Sequence, residues 1–274
     1  MAQTPTNPAP KDEHHSDGEP LRTHLYQFVR MEISPTGTRL QKLNHPLLPS
    51  KDLDDLDDCG SIHEEIDDAI QKSEEAIAEE RWRDVIYRHD QRYRVRAFCQ
   101  NAHLLPDQDY WEVLGDLYRD YQKDERLPDA FPEVLIFQHL LRSPRPGREH
   151  LMQAVDRDTF NRLPDSFTVY RGFARGDGSG ISWTLDRRVA VFFAGLEMGR
   201  CDEGSTLPPK VLTAQVRDKS LAYAYFTPET EVLVPMDALE VTSTEEVFGE
   251  ASVHPDVRDF DFDAWLKKNM GPKA

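Results

Sequence analysis

Three cysteines, Cys59, Cys99 and Cys201, stand far apart with no CxxC pair among them. That excludes both a disulfide framework and a zinc site of the usual spacing, and it fits reduced thiols. No apolar run nears the roughly 20 residues that a membrane-spanning helix needs. Met1-Ala2-Gln3-Thr4-Pro5 has neither the basic start nor the apolar stretch of a secretory signal. The expectation is a protein acting in a cytoplasm, its own or one it is delivered into, with no membrane partner. Positive charge is also scarce: 33 Lys and Arg against 50 Asp and Glu give a net charge of −17. Phosphate backbones repel such a chain overall, which excludes broad nucleic-acid binding but not a local basic face. One acidic stretch, Asp55 to Gly60, opens like a calcium loop. Cys59 then falls at its fifth position and Ile66 at its twelfth, where a bidentate Glu is required, so no metal is expected.

What is present divides into a helical and a strand-rich part. Residues 1–20 are polar and rich in Pro, Asp and His, and read as a disordered tail. Alternation from Leu25 to Ile33 predicts a strand, followed by a turn at Pro35-Thr36-Gly37. Ile62, Ile66, Ile70 and Ile77 predict one helix face, with Ser61 and Glu64 as its capping box. Further helices are expected over Trp82–Phe98, Asp109–Asp124, Val134–Leu141 and Arg148–Phe160, making residues 21–160 mainly helical. In Asp109–Asp124, the residues Trp111, Leu114, Leu117, Tyr118 and Tyr121 form an i, i+3, i+4 stripe. The stretch Arg81–Arg96 interleaves six arginines with Trp82, Tyr87 and Tyr93, and reads either as a nucleic-acid face or as a face that pairs with the abundant acids or packs against the strand-rich part.

After residue 160 the period changes. Phe167–Tyr170, Gly180–Thr184, Val211–Val216, Glu231–Val234 and Leu239–Thr242 read as strands, with a helix over Leu185–Leu196. The fold class is therefore α+β: a helical N-terminal region, then a sheet domain over residues 161–250. A C-terminal tail, residues 251–274, carries one short amphipathic segment, Phe260–Leu266.

Three short constellations in the strand-rich part carry chemistry. Arg171, closing an apolar strand and followed by Gly172, suits a bidentate phosphate contact beside exposed backbone amides. In Ser182-Trp183-Thr184 the two hydroxyls share a strand face, and Trp183 points to the opposite layer. In Glu229-Thr230-Glu231 two carboxylates share a face, and close like charges favour one ionised and one proton-exchanging group.

In this order the three resemble the Arg, Ser-x-Thr, Glu-x-Glu branch of the ADP-ribosyltransferase superfamily, the toxin-like mono-ADP-ribosyltransferases. The resemblance covers roughly residues 165–243 and implies a mixed, split β-sheet catalytic domain. It implies NAD as a substrate, with no metal. Arg171 would meet an NAD phosphate, the Gly172 backbone the nicotinamide carboxamide, and Phe193 the nicotinamide ring. Ser182 would orient Glu231, with Thr184 supporting the strand. Glu231 would bind the ribose 2′-hydroxyl and stabilise the oxocarbenium-like transition state. Glu229 would position and help deprotonate the acceptor, as in the arginine-modifying members, and Tyr225 and Phe226, with Tyr223, would recognise the target. Ten residues separate Arg171 from Ser182, where many toxins place a longer, helix-containing segment. A smaller or differently lidded pocket follows, with Arg175 sharing the phosphate role. The implied function is ADP-ribose transfer to a protein arginine, by a toxin or an effector of phage–host conflict. A nucleic-acid target, NAD hydrolysis, and an inert binding module of the same fold are the alternatives.

Overall fold

The computed structural model describes residues 19–33, 38–53, 59–123, 131–174, 176–199, 208–225, 230–247 and 260–269. The chain is α+β and divides into two compact units, Met1–Leu104 and Leu105–Ala274. Among the described residues no helix is long and apolar enough to cross a membrane.

The first unit holds β1 (Val29–Ile33), β2 (Arg39–Leu43) and β3 (Lys51–Asp52), followed by α1 (Gly60–Ala78), α2 (Trp82–Arg88) and α3 (Gln91–Asn101). The three strands form an antiparallel sheet in sequence order. The expected strand from Leu25 begins instead as a 3₁₀ turn, Thr23–Phe28, because Leu25 turns inward to a core of Leu21, Leu43, Leu48, Leu53, Cys59 and Ile66. Strands β2 and β3 are additions to the helical region expected there. The face that α1 buries runs through His63, Ile66, Ser73 and Ala76, while Ile70 and Ile77 are exposed. Rows spaced by four drift about 40° per step around a helix, so the isoleucine row leaves the core that Ile66 meets. No capping box forms: the helix starts before Ser61, with Cys59 as its cap residue and no side-chain cap bond. The helix expected over Trp82–Phe98 breaks at His89. Asp90 caps α3 by accepting from the Arg92 amide, and its own amide is taken by the Pro46 carbonyl. In the arginine-rich stretch, Arg81 pairs with Glu79 and Asp84 and Arg92 with Asp90, while Arg83 and Arg94 lie over Tyr87. The acids paired with Arg81 and Arg92 are partners of the kind that one of the readings called for.

The second unit contains α4 (Asp107–Lys123), α5 (Phe131–Leu140), α6 (Ala154–Asn161), β4 (Phe167–Phe173), β5 (Ser182–Thr184) and α7 (Arg187–Gly199). It continues with β6 (Lys210–Val216), β7 (Tyr223–Tyr225), β8 (Glu231–Leu233), β9 (Leu239–Glu246) and α8 (Phe262–Asn269). The helix expected over Arg148–Phe160 is a 3₁₀ turn, Arg148–Leu151, and then α6, interrupted at Met152-Gln153. The six strands are ordered β7-β8-β5-β4-β6-β9, and every ladder is antiparallel. Strands β4 and β6 pair along their whole length, whereas β4 and β5 share one partner pair, Tyr170 with Thr184. The sheet is thus nearly parted into β7-β8-β5 and β4-β6-β9.

Helix α7 seats on β4 and β6 through Ala190, Val191, Ala194 and Val211, with Tyr170 against them. Helix α4 meets β7 through Trp111 and β8 through Tyr118, two residues of its stripe. Trp111 lies 6.0 Å from the Tyr223 ring and donates to the Pro146 carbonyl, while Leu114, Leu117 and Tyr118 are buried on the same face. Helix α8 brings Trp265 to Phe167, so the amphipathic tail segment packs on this unit. Tail residues 1–18, the Pro35–Gly37 turn and Asp55–Asp58 lie outside the described residues; Glu19, at the tail's end, receives the Cys59 amide on its carbonyl.

Candidate active site

Strands β8, β5 and β4 are neighbours, and each carries one of the expected motifs. Thr184 stands opposite Glu231 and Tyr170 opposite Thr184, so these three side chains share a face. Glu231 is 5% exposed. Its Oε1 accepts two hydrogen bonds, one from the Ser182 hydroxyl and one of 2.8 Å from the Tyr118 phenol of α4. A buried carboxylate is costly unless it receives hydrogen bonds, and donors on it favour the ionised form.

The backbone entering β8 is strained. Thr230 has φ +50°, a left-handed conformation that a β-branched residue rarely adopts and that costs on the order of 1–3 kcal/mol. It is held there by Thr184. The two hydroxyls lie 2.8 Å apart, the Thr184 hydroxyl also accepts from the Asp186 amide, and the Leu185 amide donates to the Thr230 carbonyl. Thr184 therefore fixes the residue from which Glu231 departs. Replacing Thr184 with Val is expected to destabilise the protein by roughly 1–3 kcal/mol, since the Asp186 amide and the Thr230 hydroxyl lose a buried partner. Thr184→Ser, which keeps the hydroxyl, should recover most of it, and urea unfolding of both variants measures the difference.

Arg171 forms a second group at the parting of the sheet. It alternates with Tyr170 and Gly172 on β4, so it points away from the face that α7 covers. Its Nε donates to the Gly178 carbonyl at 3.0 Å and its Nη1 to the Ser182 carbonyl at 2.8 Å. Gly180 leaves room for it, because a Cβ there would stand 2.5 Å from the guanidinium carbon. Arg171 thereby ties the loop after β4 to β5. Asp177, in that loop, receives the Ser179 amide, and hydrogen bonds from the Ser179 side chain and then its amide hold the Asp177 carboxyl below the usual range, with a smaller pull from the Arg171 guanidinium.

Of the other expected residues, Gly172 lies under α7, where the Ala190 carbonyl approaches it directly. Phe193 sits on α7, half-buried and edge-on to Phe192 at 5.4 Å. Tyr225 ends β7 directly opposite Glu231. Tyr223 is buried, takes a hydrogen bond from Arg148 and donates to the Leu141 carbonyl. Burial pushes its phenol up to about 12, against the pull of the Arg148 cation. Arg175, Phe226 and Glu229 lie outside the described residues. Sequence reasoning missed Tyr118 and Thr230 as members of the site. Tyr118 was visible only as part of the α4 stripe, although a phenol on a buried stripe needs a hydrogen-bond partner and so points to a polar group opposite it.

No group of His, Cys, Asp and Glu that could hold a metal exists among the described residues. The arrangement can place one carboxylate, held by two hydroxyl donors, at the start of an inner strand of the sheet, one strand from the arginine-bound loop that ends in β5. No protein-family model, no curated protein and no solved structure matches the chain.

Proposed function

We propose that this protein is a mono-ADP-ribosyltransferase that cleaves NAD and moves ADP-ribose to a macromolecule, with protein arginine as the acceptor. The observation that carries the reading is Glu231, buried yet held by the Ser182 and Tyr118 hydroxyls. The strand order β8-β5-β4 supports it, since it sets the Glu-, Ser- and Arg-bearing strands side by side at the parting of an antiparallel sheet. That parting is also what supports a split-sheet, ADP-ribosyltransferase-like fold for residues 161–250.

In the reaction the bond between the ribose C1′ and the nicotinamide nitrogen breaks, and nicotinamide leaves with the electron pair. Positive charge then develops on the ribose, and the Glu231 carboxylate, accepting from the 2′-hydroxyl, stabilises it. The acceptor nitrogen adds to C1′ and loses its proton, a step assigned to Glu229. Arg171 and the Gly172 backbone would hold the phosphate and carboxamide ends of NAD, Phe193 the ring, and Tyr225 and Phe226 the target. Positioning and charge supply the catalysis, and no step calls for a metal. A role as a toxin or conflict effector follows from the same resemblance, and action in a cytoplasm remains the expectation drawn from the cysteines and the N-terminal sequence.

Incubation with labelled NAD and a proteome extract, followed by mapping of labelled protein and RNA by mass spectrometry, tests the reading. Nicotinamide release with label on protein arginine is expected. Label on RNA alone would make nucleic acid the target, and release without label would make the protein a hydrolase. NAD binding without turnover would leave an inert binding module.

A further inference from the structure

We infer that Tyr118 is a positioning residue of this site, its phenol working with the Ser182 hydroxyl to fix the direction of the Glu231 carboxylate. The inference rests on the reading of Glu231 as the group that meets the ribose. It extends the site beyond the strand motifs to α4, which lies 113 positions away in sequence.

Three observations carry it. First, both donors converge on one oxygen, Oε1, from different elements: Ser182 from the neighbouring strand β5 and Tyr118 from helix α4. Two donors on one carboxylate oxygen restrict rotation about the terminal bond of Glu, which is otherwise soft. Second, the phenol is itself held. Tyr118 is 5% exposed, edge-on to Phe137 at 5.4 Å, and two helical turns beyond Trp111, which is anchored on Tyr223 and the Pro146 carbonyl. Third, other buried phenols of this unit are satisfied differently. Tyr110 donates to the Leu140 carbonyl and Tyr223 to the Leu141 carbonyl, the ordinary solution for a core tyrosine. Tyr118 donates to a carboxylate, a charge-assisted bond of greater strength.

A group that acts only by aiming Glu231 does not touch NAD, so its loss should lower kcat while leaving KM for NAD nearly unchanged. Tyr118→Phe is expected to lower kcat roughly 10- to 100-fold, the effect of one hydrogen bond to a charged group. Tyr110→Phe, which deletes a comparable buried hydroxyl on the same helix, should leave kcat within about twofold, and thermal unfolding should show both variants folded. Because Ser182 shares the acceptor atom, Tyr118→Phe combined with Ser182→Ala should depart from the product of the single effects. Equal kcat in Tyr118→Phe and wild type would overturn the inference and leave the function standing. So would a loss shared equally by Tyr110→Phe, since it would report packing of α4. A wild type that turns over no NAD would overturn the function itself, and this inference with it.

Discussion

Glu231→Gln is expected to stop NAD cleavage, with kcat falling by at least about 10²- to 10³-fold, the range for removing one electrostatic stabiliser of a transition state. The substitution isolates charge from shape. Gln keeps an oxygen at the Oε1 position, so the bonds from Ser182 and Tyr118 can still form, and the buried volume is nearly conserved. What disappears is the negative charge that the proposed reaction sets beside the ribose as nicotinamide departs. Stability should change little by comparison, because a buried neutral amide is no harder to accommodate than a buried carboxylate. Nicotinamide release measured beside a thermal unfolding curve separates the two. Glu231→Asp is the companion: it keeps the charge but shortens the side chain by one methylene, and should lose activity for want of reach. If Glu231→Gln released nicotinamide at the wild-type rate, the catalytic assignment would be wrong whatever the fold.

The parts of the site that could be read in the sequence are those governed by the two-residue period of a strand. Ser182 and Thr184 on one face with Trp183 buried on the other are consequences of alternation, whereas the pairing that sets Glu231 one strand over was implied only by the resemblance. The helical stripe of α4 was equally legible, because Trp111, Leu114, Leu117 and Tyr118 recur at the helical period. What that stripe would meet was not, since pairing of a phenol with a carboxylate 113 positions away is set by tertiary packing. Thr230 was illegible for a different reason. Its type argues against a left-handed backbone, and surrounding bonds that include those from Thr184 and Leu185 hold it there. Strand β3, two residues long, is too short to show any period. Arg171 was found, but as a residue whose guanidinium holds the Gly178 and Ser182 carbonyls, so any phosphate must share or displace those bonds.

Gly172→Ala should be the most damaging single-methyl change in the second unit, costing more than about 3 kcal/mol, the upper end for overpacking. A Cβ at this position would stand 1.7 Å from the Ala190 carbonyl oxygen and 2.7 Å from both the Ala190 carbonyl carbon and the Ala194 nitrogen. All three are main-chain atoms of α7, so no side chain can rotate aside. Nor can β4 withdraw, since it is paired residue by residue with β6 from Phe167 to Phe173. The helix itself would have to lift, opening the core that Val191, Ala194 and Val211 close. Gly195, on the same helix, supplies the contrast: nothing lies within 4 Å of a Cβ built there. Gly195→Ala should therefore stabilise the protein by about 0.5–1 kcal/mol, the helix-propensity difference between the two residues. Urea unfolding of both variants tests the pair, and a Gly172→Ala protein as stable as wild type would mean that α7 does not seat on β4 in this way. The contrast also governs how Gly172 is judged as part of an NAD site. Because its side-chain direction is filled by α7, lost turnover in Gly172→Ala would report the displaced helix before it reported a missing backbone contact to nicotinamide. A role in binding NAD has to be sought in NAD affinity measured where the variant is still folded.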